Sequence, residues 1–482
     1  GYSFDNRGTI SAAPSEAQYS AVSMFVQGAS PAIYTCFGNG NGAAGDAQFC
    51  GADQKGGLLN TGTISANATT NATSVTTTQI SASALVIGPY AAIPRIDLKA
   101  ENTGLGSTTP GTIFASVSGT SGGIATALSI SQNAVVPIIN VGQGASIKAS
   151  VSTSNLTPTA EQTSPSSPFT LVATGISDGS STLTTINNAG VISAAISIVT
   201  PGLGADVVTS VRAIDLTSSV ANGITINNSG QILGDVNFGA GGNNYTLNVG
   251  NTGTNGASAA ANPATGFTNS PNSYAVVAYS IDNQVAGAAP TTTFNTINFG
   301  AGNGHILHVG AFGYVNSVIK SNSGALDVTV DTNGTLFVAN TDVTDSLNAH
   351  NFDINGGTLG LTISQNTTAT TPVIHATTEA TIQPNSIVAM QFGSFVSSGT
   401  TLASVTSPTT QNLVLITAPV INLDANTLAQ NNLVLSQNLP FLFQPSATPL
   451  SIGSAAGNQT LVLSLTPRVP GAGGNTDATA GL

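Results

Sequence analysis

The segments Ile186-Asn187-Asn188-Ala189-Gly190-Val191-Ile192 and Ile226-Asn227-Asn228-Ser229-Gly230-Gln231-Ile232 repeat one phrase: Asn, any residue, Gly, then an apolar residue two positions further on. The same spacing returns in Asn6-Arg7-Gly8-Thr9-Ile10 and Asn60-Thr61-Gly62-Thr63-Ile64, with weaker copies starting at Asn102, Asn322, Asn333 and Asn355. Asn and Gly both tolerate positive φ. Each phrase therefore reads as a corner, marked by Asn6/Gly8, Asn60/Gly62, Asn188/Gly190 and Asn228/Gly230, followed by a strand whose first apolar side chain points inward.

Working outward, a longer echo links the thirteen-residue run from Phe238 to Gly250 (FGAGGNNYTLNVG) with the twelve-residue run from Phe299 to Gly310 (FGAGNGHILHVG). Short alternating segments dominate between the corners, for example Tyr245 to Val249, Asp327 to Val330 and Leu461 to Leu465. No sustained i, i+3, i+4 apolar pattern with caps is present, which argues against helices. Irregular corner spacing suits a stacked coil, because an insertion can loop out at a corner without disturbing the stack. The expected fold is all-β: a right-handed parallel β-helix, or β-solenoid, with irregular coils and inserted loops. Coils of roughly 20 to 25 residues rising about 4.8 Å each would make a rod on the order of 100 Å long.

This reading divides the chain into four parts. Residues 1–57 form an N-terminal cap holding a disulfide-closed glycine-rich loop. Residues 58–350 form the solenoid, with inserted loops at about 149–168 and 251–273. Residues 351–468 continue as a C-terminal solenoid, and 469–482 read as a flexible linker.

Charge sets limits on function. Of 482 residues only 28 are charged, 20 acidic and 8 basic, for a net charge of −12, against about 25% charged in an ordinary globular protein. Eight dispersed cations cannot form the basic patch that phosphate recognition needs, nor the polybasic segment that binds anionic lipid. At 40% hydrophobic residues the chain is too apolar for a disordered tail. Beginning at Gly1 without an apolar leader, it reads as a mature, cleaved product.

Chemistry-bearing motifs are sparse. Cys36 and Cys50 flank a glycine-rich run and, in an exported protein, read as a disulfide contributing about 3 kcal/mol in the chain-entropy picture. His305 and His308 lie three apart in a strand-like segment, so they face opposite ways and cannot share a metal. All four histidines, with His350 and His375, read as solvent-facing or turn residues. No G-x-S-x-G elbow is present, and the runs at 38–42 and 239–244 lack the Lys-Ser/Thr of a phosphate loop. The latter run departs from calcium-binding nonapeptides by carrying Asn where Asp ligates. Scattered acidic pairs, such as Asp342 and Asp345, or Asp46 and Asp53, could ligate calcium at a contact between subunits. No other cofactor is expected, and no enzymatic activity.

The phrases INNAGVI and INNSGQI, the NFGAG echoes, the segment Arg212-Ala213-Ile214-Asp215-Leu216 and the stretch from 371 to 419 resemble the passenger domains of bacterial autotransporters. The stretch 371–408 is similar to that family's autochaperone region, and 458–468 to its last solenoid strand. The resemblance implies export through the outer membrane to the cell surface, with a translocator barrel that this chain lacks. With the low charge, it leads to a non-enzymatic surface protein that assembles with identical copies into a layer, sheath or filament. The alternative is an adhesin binding glycans or proteins of a host or neighbouring cell.

Overall fold

The computed structural model describes residues 2–13, 20–28, 35–36, 50–51, 57–69, 80–102, 108–119, 123–153, 169–198, 207–239, 241–250, 275–278, 295–322, 324–339, 346–363, 367–368, 370–392, 411–423, 433–435 and 443–467; every helix or strand among them is a strand. The chain visits three parallel faces in rotation. Tyr2–Asn6 lies on the first, Thr9–Ala12 on the second and Ala21–Gly28 on the third; Gly57–Asn60, Thr63–Thr69 and Ile80–Ile87 then pair with them in the same order. Parallel strands require such crossover connections, and the rotation makes each turn of chain one coil of a stack.

Register is held by identical residues. Ile10, Ile64, Ile113, Ile147, Ile192 and Ile232 stand one above another on the second face. All but Ile10 are fully buried. Beside them runs a column of small side chains, Ala12, Ala66, Ala115, Ala149 and Ala194. A one-residue slip would turn every isoleucine outward, so burial pins the register; each such side chain contributes about 2 kcal/mol on leaving water.

Coil length differs from the sequence expectation. Asn6 and Asn60, neighbours on adjacent coils, are 54 residues apart, and Asn188 and Asn228 are 40 apart. Coils of 21 residues also occur, as between Asn227 and Asn248. Twelve parallel strands follow one another along the first face, so at about 4.8 Å per strand that face runs roughly 50 Å, half the expected rod. Three strands per turn, with connecting residues of varied number between them, consume residues without adding height.

The ends also differ. Parallel stacking already starts at Tyr2, within the segment expected to be a separate cap. Ser146–Thr153 is a strand in register with Thr112–Gly119, so the insertion expected from 149 cannot begin before 154. Residues 251–273 and 469–482 lie outside the described set. Beyond Lys320 the described strands alternate between first and second faces only. The first face then changes direction: Gln411–Ala418 pairs antiparallel with Asn458–Pro467, which pairs antiparallel with Phe443–Ala455. No described helix is long and apolar enough to cross a membrane.

Candidate functional site

The four strong Asn-x-Gly phrases occupy the corner between first and second faces; the weaker copies do take positive φ at Asn333, Gly324 and Gly356, but at the strong corners the structure corrects the reason for the glycines. None of Gly8, Gly62, Gly190 and Gly230 has positive φ. A Cβ on Gly62 would lie 2.0 Å from the carbonyl oxygen of Gly8, and one on Gly230 would lie 2.2 Å from that of Gly190. These corners stack glycine on glycine because the backbones approach too closely for any side chain. The asparagines are buried: Asn60, Asn188 and Asn228 are at most 1% exposed. Asn6 Nδ2 donates to Asn60 Oδ1 and Asn188 Nδ2 to Asn228 Oδ1, both at 2.7 Å. Asn60 and Asn188 also donate across to the second face, to the carbonyls of Thr112 and Gln231. Leu98 and Val141 hold the matching positions of the coils between, so the inner asparagines form two separate pairs.

One residue earlier in each strand the side chain faces outward, and the sequence reading missed this column. Asn248 donates to Asn227 at 2.8 Å, Asn227 to Asn187 at 2.9 Å, Asn187 to Asn140 at 2.8 Å, and Asn140 to Asp97 at 2.6 Å. A carboxylate only accepts, so Asp97 forces Asn140 to present its N–H, and the polarity passes rung by rung. Asp97 is nearly buried, paired with Arg95 at 3.2 Å and accepting the Tyr2 hydroxyl; the Arg95 guanidinium in turn lies 4.8 Å over the Tyr2 ring. The signal was legible in aligned phrases: IINV (138–141), TINN (185–188), TINN (225–228) and TLNV (246–249) each carry Asn third.

This column borders a groove of about 400 Å³, whose other lining includes Gly142, Ala189 and Ser229. Those three follow one another at the corner, Ala189 N donating to Val141 O and Ser229 N to Asn188 O. Every residue lining the groove is uncharged.

No family model, curated protein or solved structure matches this chain. The likeness to autotransporter passengers therefore rests on the sequence phrases that carry it.

Further along, the same face becomes ionic. His308 Nε2 lies 2.6 Å from Asp331 and His350 Nδ1 lies 3.0 Å from Asp327. Asp353, on the next coil, is pushed above the usual carboxylate range mainly by burial, with Glu379 and Asp327 adding repulsion. His375 contacts the Thr417 hydroxyl at 2.8 Å. His305 departs from the expectation of a solvent-facing histidine: it is fully buried, its ring stacked 5.1 Å from that of Tyr245. Its Nδ1 accepts from Tyr245 N at 3.2 Å, and burial pulls its pKa below the ordinary value. The Phe238/Phe299 echo is likewise physical, the two rings stacking at 5.1 Å on successive coils. On the third face, burial raises Asp235, against the pull of a Thr296 hydrogen bond and the Arg212 and Lys320 charges.

Among the described residues no group of three or more His, Cys, Asp or Glu could hold a metal. Asp46, Asp53, Asp342 and Asp345 lie outside that set. The strand pairing places Cys36 opposite Cys50; their side chains lie outside it too.

Proposed function

We propose that the protein is a non-enzymatic structural element of a bacterial cell surface, an autotransporter-type passenger that assembles with identical copies into a layer, sheath or filament. The observation that carries this reading is a set of exposed apolar side chains on one corner of the stack. Tyr90, Val135 and Val220 are 40%, 45% and 72% exposed. They lie on corner turns tied coil to coil: Tyr90 N donates to Asn133 O, Val135 N to Ala91 O, and Val220 N to Ser181 Oγ. Neighbours such as Gln132, Asn133, Ser181 and Asn222 are uncharged, so copies meeting at this corner bury apolar side chains against little repulsion. The coil is right-handed in this reading, the hand that parallel crossovers take almost without exception, and Cys36 and Cys50 are bridged, since opposed antiparallel residues lie within disulfide reach.

Sedimentation velocity over a wide concentration range, with and without calcium, tests the proposal. Concentration-dependent assembly lost in Val135→Glu and Val220→Glu is the expected result; a strict monomer under all conditions removes it. A second reading, an adhesin for cell-surface glycans, is favoured by one observation of its own, the uncharged amide-lined groove.

A further inference from the structure

We infer that the groove between the outer asparagine column and the Gly142–Ala189–Ser229 corner is a binding site for an extended, neutral, hydroxyl-rich polymer, a glycan chain lying along the stack. The inference rests on the second reading above and assigns it a place and a ligand class.

The argument begins with the amide group. A primary amide offers two N–H donors and two acceptor lone pairs. Within the column, Asn187 and Asn227 each spend one donor and one lone pair on their neighbours above and below. One donor and one acceptor remain on each, and both side chains are part-exposed. Their spacing follows the coil repeat of about 4.8 Å. The ladder also holds every amide in one orientation, anchored at Asp97, so the remaining groups present the same face at each rung. A ligand meeting them loses little to side-chain ordering, because the ordering is already done.

The ligand must itself be a repeating polymer with paired donors and acceptors. Hydroxyl groups are both at once, which matches an amide row without demanding charge. An anionic glycan finds no cation in the lining. A peptide strand would need pockets for alternate side chains, and the corner residues here are Gly, Ala and Ser. Those small residues keep the groove open: Ala189 and Ser229 are exposed, and a larger side chain at either would fill it.

The test uses the whole protein and a panel of unbranched neutral hexasaccharides (cello-, malto-, manno- and chitohexaose), with hyaluronan and a polyalanine-rich peptide as the charged and peptide arms, read by calorimetry or ligand-observed NMR. Binding of at least one neutral hexasaccharide is expected, weakened about tenfold or more, or roughly 1.4 kcal/mol, by Ala189→Phe and by Ser229→Phe. Gln132→Phe, exposed on a different corner, should leave it unchanged. Because Ala189 and Ser229 are exposed and Ser229 gives up only a 3.4 Å bond from its hydroxyl to the Asn188 carbonyl, both variants should stay close to the wild-type melting temperature. If the wild type binds a neutral glycan and the two groove variants bind it equally well, the site is wrong although the adhesin reading stands. If no neutral glycan binds, or only hyaluronan or the peptide does, both fall.

Discussion

The first face of the stack is built in two ways. From Asn140 to Asn248 its outer row repeats one side chain, and each amide bonds to the next of its kind. Beyond Asn248 the same row continues as His308, Thr329, Asp353 and Thr381, and the acids and histidines of this part of the face bond in unlike pairs across positions, His308 with Asp331 and His350 with Asp327. An amide is donor and acceptor together, so it can be stacked on itself for as many coils as the chain supplies. A carboxylate cannot, because like charges directly opposite repel. Neutral repetition therefore gives a uniform section that ignores pH, whereas the ionic section must alternate its partners and responds to protons.

The strongest way to break the neutral section is at its corners. Gly230→Ala places a methyl 2.2 Å from the Gly190 carbonyl oxygen and is expected to lower unfolding free energy by about 3 kcal/mol through overpacking, read by urea denaturation. Gly8→Ala, which meets nothing within 4 Å, should change it by no more than about 0.5 kcal/mol. Asn188→Ala comes next. It removes the buried bonds from Asn188 to the Asn228 amide oxygen and to the Gln231 carbonyl, for a loss of about 2 kcal/mol; Asn187→Ala, on the outer row where water can replace the bond, should lose less than half as much.

Acid sharpens the contrast. The folded pKa of His305 lies below its unfolded value of 6.5, so below about pH 6.5 the unfolded chain takes up a proton that the folded chain refuses, and stability falls. Asp235 and Asp353 act in the opposite sense. Their raised folded pKa values disfavour the folded state at neutral pH, and that penalty is relieved as pH drops through them. Urea midpoints at pH 7.5 and 5.5 should therefore decline in the wild type and decline less in His305→Phe, which keeps the ring stack with Tyr245. The smallest effect belongs to the exposed histidine–aspartate contacts: His308→Ala should change stability by about 0.5 kcal/mol or less at neutral pH.

Much of the architecture was legible beforehand, because Asn-x-Gly-x-Ile marks the same corner wherever it occurs and the isoleucine that follows always reaches the core. The reason for the glycine was not legible. Positive φ and close backbone approach leave the same residue in the sequence, and only the distance from Gly230 to Gly190 separates them. Coil length escaped for a related reason: the number of residues between successive strands varies, above all between second-face and third-face strands, so counting residues overstates height. The outer asparagines were hidden by their neighbours. Asn188 and Asn228 drew attention as corner residues, while Asn187 and Asn227, one position earlier, carry the exposed ladder. Ile96-Asp97-Leu98 and Ile214-Asp215-Leu216 look alike yet sit on different faces, since a three-residue likeness does not say which face it occupies. His305 looked like any strand histidine; its burial depends on Tyr245, contributed by the coil before it.

The matched ladders have a consequence for how such a chain can change length. Asn187 and Asn227 are 40 residues apart and hold the same place in successive TINN strands. Excising residues 188–227 would join Asn187 directly to Asn228 and regenerate the same TINN corner, with Gly230 set on the backbone that Gly190 had occupied. An excision that is not a whole turn would set unlike side chains against one another on every rung. The molecule is thus granular along its axis: it can shorten or grow by whole turns, as a chain of links does, and by nothing in between.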